Sequence, residues 1–441
     1  MSIFQIEFFL TILIILIWLG PFLSSIRFKI FNLLHPQALI PLWLVYFLIN
    51  SMIEKWRPWM VEPDPGIIRT TELNLKLFPD YFLVPLILMI PAGIFFHFGS
   101  RVLSNSISKS PIASIDRFRR LPVINSSERM ELSLLIFLVI SLAWIPNALI
   151  PNDALGTFWT YPLAMTALLA PFILLRTNKI LFTISLLFVA IAIVNLKSKA
   201  ALVYPLMPII LYYFYFNFRL KRFTSLLIPL IILSALWILL SLGGFDFVFA
   251  KLFHRDYQFD VFAALVHYSP NGLLGNIGSS ISGEQNGPLL SWTWGEVRNA
   301  IPSILNPFKG ETINPAKLVS QYFLPEDYNV IPESYFNRHF LFSGYYDLGL
   351  IGILVSSFLG GITYSFFWRL TNKLINYYQE TWPIFVYLPI PAISSYFVAS
   401  GNLGYGFINA LIPAATIFTC VLIAKMASFF RNSSLTESKY G

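Results

Sequence analysis

Apolar residues run through this chain in long blocks, not in the alternation of a half-buried strand or the one-sided stripe of a surface helix. Eleven blocks stand out, near 3–26, 30–52, 80–100, 132–150, 159–175, 180–195, 202–218, 224–243, 339–367, 382–399 and 404–424. Most come close to the roughly 20 residues that carry a helix through the hydrocarbon core of a bilayer. Lipid offers no partner to a backbone N–H or C=O, so only helices and closed barrels span membranes, and these blocks are too long for strands. The pattern predicts an all-α integral membrane protein with about eleven transmembrane helices. Pro146 and Pro162 fall inside the fourth and fifth blocks, where intramembrane helices tolerate them as kinks.

Composition agrees with the pattern. Of 441 residues 56% are hydrophobic and 12% charged, about half the charged share of soluble domains. The first block, "IFQIEFFLTILIILIWLGPFL", has no basic n-region and no small-residue cleavage site, so it is expected to stay as a span. Cys420 is the single cysteine, which excludes a disulfide within one chain and speaks against a catalytic thiol. The net charge of +8 is read first as the bias that holds cytoplasmic loops inside, and not as a nucleic-acid surface.

That bias orders the connections. Arg27 and Lys29, Arg101 through Arg129, Arg176 and Lys179, Arg219 with Lys221 and Arg222, Arg369 and Lys373, and the tail from Lys425 all fall on one side. They make up the larger part of the 30 basic residues. Only Asp116, Glu128, Glu131, Glu380 and Glu437 join them there. The assignment alternates without contradiction, with the N-terminus outside and the C-terminus inside. It divides the chain into 1–243, with eight spans, an outer loop at 53–79 and a basic inner loop at 101–131; a long outer loop at 244–338; and 339–441, with three spans and a tail. A solvated loop is the plain reading of 101–131, which can also meet anionic membrane lipid. The 244–338 segment exceeds an ordinary connection several-fold, and its aromatic content predicts a folded, partly helical cap.

Three outer-side stretches can carry chemistry. "KLFHRDYQFD" at 251–260 follows an uncharged block; as a helix it places Lys251 and Arg255 on one face and Asp256 and Asp260 on the next. "NLKSKAALVYP" puts Lys197 and Lys199 in a tight outer turn, against the orientation rule. The long loop adds Arg298, Lys309, Lys317, Arg338 and His339, with carboxylates that include Glu284, Glu296, Glu311, Glu326, Asp327 and Glu333. Cations at an outer membrane surface suit a lipid-linked pyrophosphate, bonding its oxygens and stabilising charge on a leaving group. A carboxylate or histidine beside them can accept a hydroxyl proton. Trp292, Trp294 and the loop tyrosines can stack on sugar rings. Each has a plainer alternative: a snorkelling interfacial helix, two solvated lysines, and an aromatic loop core or interface belt.

Other classes lose ground. His35, His97, His254, His267 and His339 show no paired spacing, so no metal site is expected. There is no P-loop for an ATP-driven pump. Few ionisable residues lie deep in spans, Glu7 and Asp347 being near ends, whereas ion-coupled transport usually needs such groups.

Three motifs carry a resemblance. "LKSKAALVYPLMPIIL" opens a span with Ser198-Lys199-Ala200, "RNAIPSILNPFKG" sets a proline-centred motif before a Pro-x-Lys, and "FSGYYDLGLIGILVSSFLGG" begins the span after the long loop with a polar-Leu-Gly-x-x-Gly opening. Together with the architecture, they resemble bacterial oligosaccharide repeat-unit polymerases of the O-antigen polymerase type. Lysine at 199, where that family has arginine, keeps the charge without the bidentate fork. The resemblance implies a GT-C-like membrane glycosyltransferase in the bacterial inner membrane, N-terminus periplasmic and C-terminus cytoplasmic. Its donor and acceptor would both be oligosaccharides linked to undecaprenyl pyrophosphate. Transfer would be inverting and metal-independent, without a cofactor, and a chain-length regulator protein would be a further partner. It assigns Arg255, Lys197, Lys199, Arg298 and Arg338 to the pyrophosphate. Arg255 is also placed in the catalytic centre, with the base among His254, Asp260, Glu296 and His339. O-antigen ligases share much of this plan, and a flippase or transporter is the alternative of another class.

Overall fold

The computed structural model describes residues 3–27, 34–56, 83–103, 121–149, 170–185, 340–390 and 403–440. Every regular element among them is helical: α1 Ile3–Arg27, α2 Pro36–Trp56, α3 Leu83–Leu103, α4 Arg129–Leu149, α5 Pro171–Thr177, α6 Phe340–Tyr378, α7 Trp382–Tyr387 and α8 Leu403–Tyr440. A 3-10 turn, Ser126–Glu128, leads into α4, and 179–185 is also helical. Four helices are long and apolar enough to cross a membrane, over Ile3–Ser24, Leu86–Leu103, Asp347–Tyr378 and Leu411–Arg431. These helices turn Phe4, Phe9, Leu16, Ile94, Phe98, Ile351 and Phe429 outward, a surface that suits lipid and not water. The chain is a helical membrane protein. The expected spans at 202–218 and 224–243 lie outside the described residues, as do the loops at 53–79 and 244–338, apart from 53–56 at the end of α2.

Two helices outrun the apolar blocks that announced them. α6 continues past 367 to Tyr378, because "RLTNKLINYY" contains neither glycine nor proline to stop it. It ends at Gln379, whose positive φ of 55° makes the left-handed cap that closes many helices, its N–H donating to the Ile375 carbonyl at 2.9 Å. α8 likewise runs through the expected tail to Tyr440.

The described residues fall into two compact units. The first holds α1, α2, α3 and α6 as far as Phe366. α1 packs on both α2 and α3 around Trp18, which is fully buried. Its indole N–H donates to the Met89 carbonyl at 2.9 Å, and its ring lies 5.4 Å from Phe96 and 6.1 Å from His97. Gly93 leaves the room this needs, since a Cβ there would stand 2.8 Å from the indole nitrogen. α3 meets α6 equally closely: a Cβ on Gly99 would strike the Phe358 carbonyl, and one on Gly361 the Phe96 carbonyl. Backbone-to-backbone approach at small residues is how helices associate where water supplies no driving force.

A proline and a histidine meet in this core. Pro21 lies inside α1 and has no N–H, so the Ile17 carbonyl four residues earlier loses its intrahelical donor. The His97 ring bonds α1 one residue further on, with Nε2 3.0 Å from the Trp18 carbonyl oxygen. A carbonyl only accepts, so Nε2 carries the proton and donates. Gln37 Nε2 then donates to Ser100 Oγ at 2.8 Å, and that hydroxyl to the His97 carbonyl at 2.9 Å. This polar seam ties α1, α2 and α3 together inside an apolar core.

The second unit holds α4, α5, the rest of α6, α7 and most of α8. α4 buries Leu132, Ile136 and Ile140 and exposes Leu134, Leu138 and Leu142. α8 buries Ile417, Val421, Ala424 and Ser428, the i, i+4, i+7, i+11 stripe of a helix with one inward face. Trp368 and Tyr387 pack at 5.3 Å, and Trp382 lies between Tyr378 and Phe418, at 5.4 and 5.9 Å.

Two expectations follow, both measured as thermal unfolding in detergent. Gly361→Ala lowers the midpoint, because backbone must move. Its neighbour Gly360→Ala, with nothing within 4 Å of the new methyl, leaves it unchanged or gains up to about 1 kcal/mol of helix propensity. Separately, His97→Leu destabilises by about 1 kcal/mol through the lost bond to the Trp18 carbonyl; an unchanged midpoint would remove that bond from the forces holding α3 on α1.

Candidate functional site

The residues that sequence assigned to the site, Lys197, Lys199, His254, Arg255, Asp260, Glu296, Arg298, Arg338 and His339, all lie outside the described residues. The chemistry the structure does describe gathers at two other places, one in each unit.

In the second unit the segment 121–131, the turn at 379–382 and α8 are tied by charge. Lys425 Nζ stands 3.0 Å from Glu128 Oε2 and 2.8 Å from Glu380 Oε2. It donates to Glu380 Oε1 at 3.1 Å; its contact with Oε2 is an ion pair without hydrogen-bond alignment. The Asn125 N–H donates to the same Oε1 at 3.0 Å. Backbone bonds fasten the turn alongside: the Thr381 N–H to the Pro122 carbonyl at 2.8 Å, and the Trp382 N–H to the Val123 carbonyl at 3.0 Å. Tyr378 lies under the ammonium, 5.3 Å from its ring centre. Further along α8, Arg431 pairs with Glu131 and donates to the Ser127 carbonyl at 2.6 Å.

The solvent exposure of these groups decides what the cluster does. Glu380 is completely buried, Glu128 13% exposed and Lys425 22% exposed. A buried carboxylate needs a cation and donors at good geometry, and Glu380 has both. One ammonium serves two carboxylates, and three chain segments are held by it. The arrangement is a clasp.

Sequence reasoning placed Lys425 at the start of the inner tail and missed this clasp. A signal was present: Glu128, Glu131 and Glu380 are three of the few acids on the basic side of the topology, and each pairs with a cation of α8.

In the first unit the notable feature is a break in α6. Gly349 has φ 62° and ψ −147°, near a region essentially closed to residues with a Cβ. In an unbroken helix residues 344 and 352 would stand about 12 Å apart. Here a Cβ on Gly352 would strike the Gly344 carbonyl, and one on Gly344 would stand 2.5 Å from the Gly352 oxygen and Ser356 Oγ. The chain therefore doubles back, making a short arm at 340–348 and a long arm at 350–378. Tyr345 and Asp347 are buried on the short arm, while Leu348, Leu350 and Ile351 at the bend are exposed. The polar-Leu-Gly-x-x-Gly stretch is thus a helical elbow: its first glycine supplies the turn and its second the close approach.

Among the described residues no three His, Cys, Asp or Glu side chains converge as metal ligands. The clasp is structural, with its charges satisfied internally. The elbow holds a carboxylate beside an apolar, outward-facing tip. No family model matches the chain, and no curated protein or solved structure is significantly similar to it.

Lys425→Met is expected to lower the unfolding midpoint, by a free energy of about 3 kcal/mol, because it leaves Glu380 buried without a cation. Adding Glu380→Gln recovers most of the loss, since glutamine still accepts from Asn125. An unshifted midpoint in the single variant would remove the clasp from the forces holding α8.

Proposed function

We propose that this protein is a multi-pass glycosyltransferase of about eleven transmembrane helices and GT-C-like plan. It polymerises lipid-linked oligosaccharide repeat units at the outer face of a bacterial inner membrane. The observation that carries the reading is the placement of cations. Lys197, Lys199, Arg255, Arg298 and Arg338 all fall in segments that the charge bias assigns to the outside, and Lys197 and Lys199 sit there in a short turn, against positive-inside sorting. A lipid-linked pyrophosphate supplies a reason for them to be there. The glycine elbow adds support, because the stretch that resembles a family motif is built as a distinct turn just after the long loop.

The chemistry follows from those residue types. Lysine and arginine bond the diphosphate oxygens and hold the donor at the membrane surface. As the anomeric C–O bond breaks, they stabilise the charge that grows on departing undecaprenyl pyrophosphate. The acceptor hydroxyl attacks from the opposite face, inverting the anomeric centre, and a base takes its proton. Loop aromatics offer apolar faces to the sugar rings. A ligase would use the same donor chemistry with a different acceptor.

Cells lacking this gene are expected to carry single repeat units on the surface, and wild-type complementation to restore a ladder of longer glycans. Arg255→Ala at matched expression leaves single units on the carrier, with polymer reduced at least tenfold. Normal ladders from Arg255→Ala would move the site to the Lys197–Lys199 turn. Repeat units trapped on the cytoplasmic face without wild type would make the protein a flippase and end the polymerase reading.

A further inference from the structure

α6 does not stop where hydrocarbon does. Its long arm, 350–378, is about 43 Å long at 1.5 Å per residue, against about 30 Å for the hydrocarbon core of a bilayer. An arm that enters lipid at the exposed Leu350 and Ile351 therefore leaves it near Arg369. The turns beyond stand at the headgroup layer, and their two faces differ. Trp368, Thr371 and Ile375 are buried, with exposures of 6%, 6% and 1%. Arg369, Leu370, Lys373 and Tyr377 are exposed, Leu370 by 41% and Tyr377 by 79%. At 3.6 residues per turn these four fall within an arc of about 100°, opposite the buried three.

The clasp decides the charge of this surface. Glu128, Glu131 and Glu380 are the carboxylates whose side chains are described in the second unit, and each pairs with Lys425 or Arg431 on α8. Arg129 and Lys373 take no part in an ion pair between described residues. Arg129 belongs to the same place. Its neighbour Glu128 is 3.0 Å from the Lys425 ammonium, and that ammonium stands over Tyr378, the last residue of α6. Beside Arg129 is Met130, 57% exposed.

Two plainer causes fall short of this pattern. Arg369 and Lys373 are like charges four apart on one face, an arrangement that weakens a helix. Neither lies in the last turn, where the helix dipole favours a cation. A tail dissolved in water, for its part, has no use for Leu370, Tyr377 and Met130 next to its cations.

We propose that the exposed face of the α6 tail, with Arg129 and Met130 at the start of α4, is a docking surface for anionic phospholipid headgroups of the bilayer. Arg129, Arg369 and Lys373 bond the phosphate oxygens. Leu370, Tyr377 and Met130 enter the acyl boundary beside them, the division by which a basic amphipathic helix lies at an interface. A phosphate between Arg369 and Lys373 relieves their repulsion. The charge bias assigns this end of α6 to the inside, where anionic lipid gives the leaflet a negative potential. By occupying the described carboxylates of the unit, the clasp leaves the surface cationic. The assignment does not depend on the polymerase reading.

The test uses detergent-purified full-length protein, titrated with dioleoylphosphatidylglycerol or dioleoylphosphatidylcholine and read by native mass spectrometry. Wild type is expected to bind the anionic lipid at least about tenfold more tightly, each cation contributing about fivefold, and the preference to fall as salt rises. Arg129→Gln combined with Arg369→Gln and Lys373→Gln brings the two lipids to within about twofold of each other. Should that variant fold poorly, Lys373→Gln alone decides, with an expected loss of about fivefold in phosphatidylglycerol affinity. Equal binding of the two lipids by wild type overturns the proposal. So does a preference that persists undiminished in the folded triple variant or in Lys373→Gln. Glycerophosphoglycerol, the same headgroup without acyl chains, is expected not to compete; full competition would put a soluble anion on this surface and end the bilayer assignment.

Discussion

A polar group placed in hydrocarbon can be satisfied only by another part of the same chain, and the described structure is organised by that constraint. The first unit shows it at the smallest scale. Beside the proline of α1, a histidine on another helix donates to the Trp18 carbonyl. Holding that ring in place recruits Trp18, Met89, Gln37 and Ser100 into one connected seam. Glycines at 93, 99 and 361 let the helices come near enough for those bonds to form. Packing and polar satisfaction are therefore not separate contributions here. Close approach is the condition for both.

The same constraint governs charge in the second unit. Lys425 lies within the last candidate span, where an unpaired ammonium is costly. Glu128 and Glu380 neutralise it, and in doing so attach the turn after α6 and the segment before α4 to one point on α8. The positive-inside rule counts charges one loop at a time; the fold pairs them across some 300 positions, as with Lys425 and Glu128. This accounts for Glu128, Glu131 and Glu380 on the basic side of the topology, which are partners of helix-borne cations.

Much of this was legible in the sequence, and the remainder was not for a definable reason. The starts of α1, α3, α6 and α8 lie within a few residues of the apolar blocks, because hydrophobic length is a local property that lipid reads directly. The far ends of α6 and α8 were underestimated, because hydropathy stops where the membrane stops, whereas a helix stops only at a cap or breaker such as Gln379. The elbow was half visible: the glycines at 349 and 352 could be seen, but that the chain reverses depends on a contact between Gly344 and Gly352. The clasp was visible only as an anomaly of charge. Its partners lie 45 and 297 residues from Lys425, a separation that no local pattern encodes.

The contrast between the clasp and the elbow bears on where chemistry is placed. Both contain buried carboxylates in an apolar chain, and both are positioned by backbone contacts. In the clasp, cation and donors converge on Glu380 until its charge is fully used. The elbow instead invests in shape: a backbone turn that only glycine accepts readily, two arms in contact, and Asp347 beside an exposed apolar tip. A group neutralised within the fold has little left to offer a substrate.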